Sequence, residues 1–130
     1  MSLRRDSEGL YRSPLLEAEP WLEHAFGTAA AMPPDGFLAL RQVHSVRVVD
    51  AGEWTEDLEA DGLLVSRPGQ RVAVKTADCV PILIACPERH AAAAGHAGWR
   101  GTVAGEAAEG GRALQGRFGI RPEGLKAALC

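Results

Sequence analysis

The sequence predicts an α/β fold on three observations. The run Pro81-Ile82-Leu83-Ile84-Ala85-Cys86 is almost wholly apolar, as a strand buried on both faces must be. The run Ala91-Ala92-Ala93-Ala94-Gly95 is small and apolar, which fits a second interior strand. Beyond it, Val103, Ala107, Leu114 and Phe118 recur at helical spacing after Thr102, a residue type that caps helices. Gly110 and Gly111 weaken that helix by about 1 kcal/mol each relative to alanine, and close packing on a sheet accounts for them.

The remaining elements follow in chain order. Residues 1–36 are weakly patterned, because Pro14, Pro20, Pro33 and Pro34 interrupt any long periodicity. Residues 21–26 read as a short strand or turn. Residues 37–43 and 46–49 have strand-like content, with His44-Ser45 between them. Residues 51–60 form an acidic connection carrying Glu53, Glu56, Asp57 and Glu59. A strand over 62–66 leads to a turn at Pro68-Gly69 and a strand over 71–76. There Val72 and Val74 alternate with Arg71, Ala73 and Lys75, which predicts one buried face. Neither a repeat nor a low-complexity linker divides the chain, so a single domain over 1–130 is expected.

Composition narrows the function. The 130 residues are 46% hydrophobic and 24% charged, which is the balance of a folded globular domain rather than a disordered chain. Fourteen basic and seventeen acidic residues leave a net charge of −3, which disfavours a nucleic-acid partner. No apolar run approaches the ~20 residues that span a bilayer, so no membrane partner is expected. Residues 1–6 lack the apolar stretch of a secretory signal, and three cysteines without framework spacing fit a reducing compartment, the cytoplasm. The motifs CxxC, HExxH and GxxxxGK[ST] do not occur, which removes zinc ribbons, zincin proteases and P-loop NTPases.

The residues suited to chemistry sit at the ends of the apolar strands. Asp78 and Cys79 precede Pro81, His96 follows Gly95, and His44 follows the 37–43 segment. Strand ends meet at one edge of an α/β sheet, where ligand sites form. Imidazole nitrogen and thiolate are zinc ligands, and a catalytic zinc keeps a fourth position for water. The separations of 35 and 17 residues are far from finger spacing, so only a folded sheet brings the three together. Each residue has a plainer role as well. A lone cysteine at a strand end is commonly a small buried hydrophobe. A loop histidine is commonly hydrogen-bonded structure, and Asp78 can cap a turn. His24, His90 and Cys86 are read as structural. Arg100, Gly101 and Thr102 stand just before the expected helix. Aligned N–H groups and a guanidinium there can hold phosphate or carboxylate, while a surface ion pair is the plainer reading of Arg100.

Four segments together resemble a family: Gln42-Val43-His44, Ala60-Asp61-Gly62, Thr76-Ala77-Asp78-Cys79-Val80-Pro81 and His96-Ala97-Gly98-Trp99-Arg100-Gly101-Thr102. Their order and approximate spacing are similar to those of the YfiH family, long labelled laccase-domain or multicopper polyphenol oxidase proteins. The resemblance covers roughly residues 37–125. It implies an α/β (α+β) layered sandwich with a mixed β-sheet and a buried zinc site. It also implies that His44, Cys79 and His96 are the metal ligands. The implied activity is phosphorolysis of adenosine, inosine, guanosine and methylthioadenosine, together with adenosine deamination. Purine nucleosides and phosphate are then the partners. In that setting Asp78 and Arg100 are the candidate catalytic residues, and Arg100, Gly101 and Thr102 the candidate anion site. Members usually open with a Phe-x-Thr-Arg-x-Gly-Gly-like stretch, whereas Phe26-Gly27-Thr28 here is followed by three alanines. They also carry an Asn-containing motif, and this chain has no asparagine. Members continue past a Gly-Pro motif after the segment matching 125–129, so the resemblance implies a short or truncated member.

Three other readings compete with a zinc purine-nucleoside enzyme. A copper-dependent polyphenol oxidase is the older family assignment, with copper in place of zinc. Four histidines, two of them in the motifs, suffice for one His₂Cys copper but not for a trinuclear cluster. A metal-free hydrolase would use Cys79 as nucleophile and His96 as base. An inactive member would serve as a subunit or interaction domain.

Overall fold

The structure is a computed structural model that describes residues 3–28, 36–43, 47–75, 80–97, 112, 116 and 124–129. Its centre is a five-stranded mixed sheet in the order β4-β5-β8-β7-β9. The strands are β4 (Val48–Asp50), β5 (Gly62–Val65), β7 (Val80–Cys86), β8 (Ala91–Ala97) and β9 (Lys126–Leu129). β4 and β5 run parallel, and the other neighbours are antiparallel. The tight β7–β8 connection turns at His90, which takes a positive φ of 49°. Two small sheets accompany the large one. An antiparallel hairpin joins β1 (Arg4–Arg5) to β2 (Tyr11–Arg12), and a parallel pair joins β3 (Leu38–Ala39) to β6 (Val72–Ala73).

The apolar run at 81–86 is buried on both faces, as its composition requires. Side chains alternate across a strand, so Ile82, Ile84 and Cys86 project to one face. There they join Leu64, Ala91 and Ala93, with Val48 and Leu125 against them. Ala85 projects to the other face and meets Leu16, Phe26 and Ala128, with Leu83, Trp21 and Leu22 packed alongside. β8 lies between β5 and β7, and its buried residues 91–95 are all Ala or Gly. Small residues on the central strand leave room for the larger side chains of its neighbours. Cys86 is fully buried and unpaired, which agrees with its structural reading.

The N-terminal segment is more ordered than its sequence pattern indicates. Its turn is held by the Asp6 carboxylate, which accepts from the Glu8 and Leu10 amides at 2.9 Å each. A short helix, α1 (Pro14–Glu17), then forms. The proline that interrupts periodicity elsewhere starts this helix, since its missing N–H would be unpaired in a first turn anyway. α1 contributes the fully buried Leu16 to the second face of the sheet. The Lys126 ammonium meets the Glu19 carboxylate at 2.6 Å, and the Trp21 indole N–H donates to the same carboxylate at 2.9 Å. That ion pair joins the segment to β9.

Three expected strands differ from the observed ones. The 71–76 strand shortens to β6, and none of its residues is fully buried. The reason is placement: β6 pairs only with β3 and is not hydrogen-bonded into the main sheet. Of 37–43, only Leu38–Ala39 form strand, because the backbone changes partner at Arg41. Of 46–49, Val48 and Val49 enter β4, which extends to Asp50. Within the helix expected after Thr102, only Arg112 and Gly116 are described, and both are helical and exposed.

The histidine expected to be structural at position 24 gives the fold a pH dependence. Its Nε2 accepts the Ser13 amide at 2.8 Å, so the ring is neutral with its proton on Nδ1. Burial first, then the charge of Arg12, holds its pKa below the ordinary 6.5. The unfolded chain therefore takes up a proton before the folded one. This contribution to stability is complete above pH 6.5 and is lost as pH falls through the lowered folded value. The melting temperature is expected to drop between pH 7 and pH 5.5, and His24→Gln, which keeps an acceptor, is expected to flatten that slope. An unchanged slope in thermal melts of His24→Gln would refute the assignment.

Candidate active site

The chemistry-bearing motifs flank one end of the main sheet. β5 begins at Gly62, which lies opposite Gly95 of β8. On the other side of β8, His96 lies opposite Pro81, and Ala97 opposite Val80. The start of β5, the start of β7 and the end of β8 therefore share one edge. His96 is part of β8 at that edge. Cys79 immediately precedes Val80 in the sequence. His44, Asp78, Cys79, Arg100, Gly101 and Thr102 lie outside the described residues, as does Trp99.

The described residues on either side of these positions are fastened to one another. Asp61 is fully buried. Its carboxylate accepts the Val43 amide at 3.3 Å, and its own amide donates to the Arg47 carbonyl at 3.0 Å. One residue thus holds the chain where it enters and where it leaves the 44–46 segment. A second attachment lies just before. The Arg41 amide donates to the Leu58 carbonyl at 2.9 Å, and the Ala60 amide donates to the Arg41 carbonyl at 3.2 Å. The Arg47 guanidinium also donates to the Glu59 carbonyl at 3.1 Å. Gln42 makes a third attachment. Its carboxamide donates to the Lys75 carbonyl at 2.6 Å and accepts the Lys75 amide at 2.7 Å. Lys75 directly precedes the Thr76–Cys79 block.

Gln42 and Asp61 stand in the sequence motifs, where a pairing of Asp61 with Arg100 is the one role the residues suggest; the backbone partners seen here are not legible in the sequence. The usable sequence signal for Asp61 is an acidic residue set between Ala60 and the apolar 62–65 run, since a carboxylate carried into a core needs donors. Gln42 carried no comparable signal, because its partner is 33 residues away.

Two of the four histidines are engaged elsewhere. His24 binds the Ser13 amide, and His90 stacks on Trp21 with ring centroids 4.9 Å apart. Both agree with the structural reading. Among the described residues, no group of three or more His, Cys, Asp or Glu side chains is placed to hold a metal ion. His–Cys–His is nonetheless a donor set that zinc accepts, and the His96 backbone lies at the edge that the flanks of the other two reach. No helix among the described residues is long and apolar enough to cross a membrane.

Comparison with known proteins gives consistent relatives. The purine nucleoside phosphorylase of Deinococcus radiodurans is 41% identical over 119 residues, covering 89% of this chain and 44% of that protein. The Haemophilus influenzae purine nucleoside phosphorylase is 40% identical over 72 residues, which is 55% of this chain and 30% of that protein. This chain thus spans less than half the length of either relative. Among solved structures, Bacillus licheniformis YfiH superposes with a TM-score of 0.64 at 31% identity, over 72% of this chain and 39% of that one. Geobacillus stearothermophilus YlmD gives 0.63 at 29% identity, over 72% of this chain and 38% of that one. These likenesses agree with the mixed α+β architecture expected from the sequence. The model of the multi-copper polyphenol oxidoreductase laccase family matches residues 23–130, and the chain belongs to that family.

Proposed function

We propose that this chain carries the metal-binding and substrate-handling part of a zinc-dependent purine nucleoside enzyme. The observation that carries the reading is the shared sheet edge. His96 lies in β8 opposite Pro81, Cys79 precedes Val80, and Asp61 holds both ends of the segment containing His44. The names of the relatives support the substrate class.

In this reading His44, Cys79 and His96 hold the metal. Zinc bound there would supply Lewis acidity and water activation near neutral pH. The remaining work belongs to the chain's own groups. Arg100 forks onto phosphate oxygens, and the backbone amides at Gly101 and Thr102 complete an anion site that orients phosphate toward the ribose C1′. Asp78 orients a ligand or moves a proton to or from the purine. Phosphorolysis of adenosine, inosine, guanosine and methylthioadenosine uses the anion site. Deamination of adenosine does not need it. The setting is the cytoplasm, without nucleic-acid or membrane partners.

The family description favours a second reading, a copper-dependent phenol oxidase. Within this chain, the engagement of His24 and His90 leaves His44 and His96 as candidate ligands, too few for a multicopper cluster. Metal analysis of the purified protein, with nucleoside turnover followed with and without phosphate, separates the readings. Zinc with phosphate-dependent release of free base is the expected result. Copper with phenol oxidation would replace the proposal, and turnover without metal would favour a Cys79–His96 hydrolase.

The anion site makes its own prediction. Arg100→Ala is expected to raise the phosphate concentration needed for phosphorolysis by about tenfold or more, since a charge-assisted bidentate contact contributes more than a neutral hydrogen bond. Deamination of adenosine should change far less. Equal loss of both activities, with lost zinc or a lower melting temperature, would assign Arg100 to bracing the loop.

A further inference from the structure

We infer that Gln42 is a positioning residue whose carboxamide joins the chain entering His44 to the chain entering Cys79, and so fixes the spacing of those two metal ligands. The inference rests on the zinc reading above and deepens it.

The argument starts from a change of backbone partner. β3 and β6 pair in parallel with Leu38 opposite Val72 and Ala39 opposite Ala73. Continued in register, Arg41 would meet Lys75. It does not, because the Arg41 amide and carbonyl are bonded to Leu58 and Ala60. The ladder between the two chains is interrupted there. Gln42 restores the connection with its side chain, donating to the Lys75 carbonyl at 2.6 Å and accepting the Lys75 amide at 2.7 Å. A primary carboxamide offers one donor face and one acceptor face, so it imitates a peptide unit. Glutamate has the length but lacks the donor. Asparagine has the donor but is one methylene shorter.

The position of this bond gives it consequence. Gln42 is two residues before His44, and Lys75 is four residues before Cys79. Asp61 holds Val43 and Arg47, the residues on either side of the 44–46 segment, against the start of β5. Gln42 then ties the approach to Cys79 to that fixed point. Gln42 and Lys75 are not buried, so loss of the bond removes little apolar packing. Its effect falls on geometry rather than on overall stability.

The test compares zinc affinity, measured by competition with a chromophoric chelator, in the unaltered protein and three variants. Gln42→Ala is expected to weaken zinc binding by about 10–100-fold, the range for residues that orient metal ligands from outside the coordination shell. Gln42→Glu keeps the length and the acceptor but sets a carboxylate oxygen against the Lys75 carbonyl, so a loss comparable to that of Gln42→Ala is expected. Trp54→Phe is the control, because it deletes a bond of similar kind in the same region, from the indole N–H to the Ala39 carbonyl at 2.8 Å. Trp54→Phe should bind zinc as the unaltered protein does. Cobalt(II) supplies an independent readout: its visible bands should shift in Gln42→Ala and not in Trp54→Phe. If the unaltered protein binds zinc and Gln42→Ala binds it equally well, the inference fails while the zinc reading stands. If Gln42→Ala and Trp54→Phe lose affinity in step with melting temperature, the role is merely structural. If the unaltered protein binds no zinc, the zinc reading fails and takes this inference with it.

Discussion

Cys79→Ala is expected to strip the protein of zinc while its melting temperature changes by only a few degrees. The thiolate is the one anionic ligand in the proposed His44–Cys79–His96 set, so its removal costs the site both a bond and its charge complement. Two imidazoles alone hold zinc far more weakly. The fold draws its stability from a different source. Both faces of β7 are covered by apolar clusters, and none of the described members of those clusters is one of the proposed ligands. Metal content by mass spectrometry, read beside thermal melts, checks the claim. A variant that keeps one zinc per chain would remove Cys79 from the ligand set. A variant that unfolds would show that metal binding and folding are coupled, as in small zinc-dependent domains. The nucleoside turnover proposed above should disappear together with the metal.

Ile82→Ala is expected to destabilise the protein by about 2–5 kcal/mol, the range for truncating a buried isoleucine when its surroundings cannot collapse. Ile82 is 1% exposed. It lies opposite Gly95 of β8 and Leu129 of β9, and it packs with Leu64 and Ile84. The glycine opposite has no side chain to move into the vacated volume, so relaxation is limited. Domains of this size are typically stable by only about 5–15 kcal/mol, so this one change removes a large share. Leu129→Ala provides the contrast. Leu129 is 49% exposed, and a loss below about 1 kcal/mol is expected there. Urea denaturation of both variants decides the matter. Comparable losses at the two positions would mean that the Ile82 face is not the core.

The parts of this fold whose cause is local are legible in the residues alone. A short, almost wholly apolar run closed by Pro87 suits a strand covered on both sides, and β7 is one, with Ile82, Ile84 and Cys86 on one face and Ala85 on the other. A run of alanines ending in glycine suits a crowded central strand, and β8 occupies that place. The motifs around His44, Cys79 and His96 pointed to the family because their residue types and order are specific without reference to a structure. Features that depend on a distant partner emerge only in the folded chain. Residues 3–28 have little periodicity, yet Leu16, Trp21, Leu22 and Phe26 cover one face of the sheet, and burial against that face orders them. The alternation at 71–76 reads as a half-buried strand, but β6 pairs with β3 and does not join the main sheet, so Val72 and Val74 remain only partly covered. Gln42 and Asp61 gained their roles in the same way. A carboxamide or a carboxylate in a sequence is only a set of unused donors and acceptors. The fold brings Lys75 to Gln42, and Val43 and Arg47 to Asp61, across separations that no local pattern encodes.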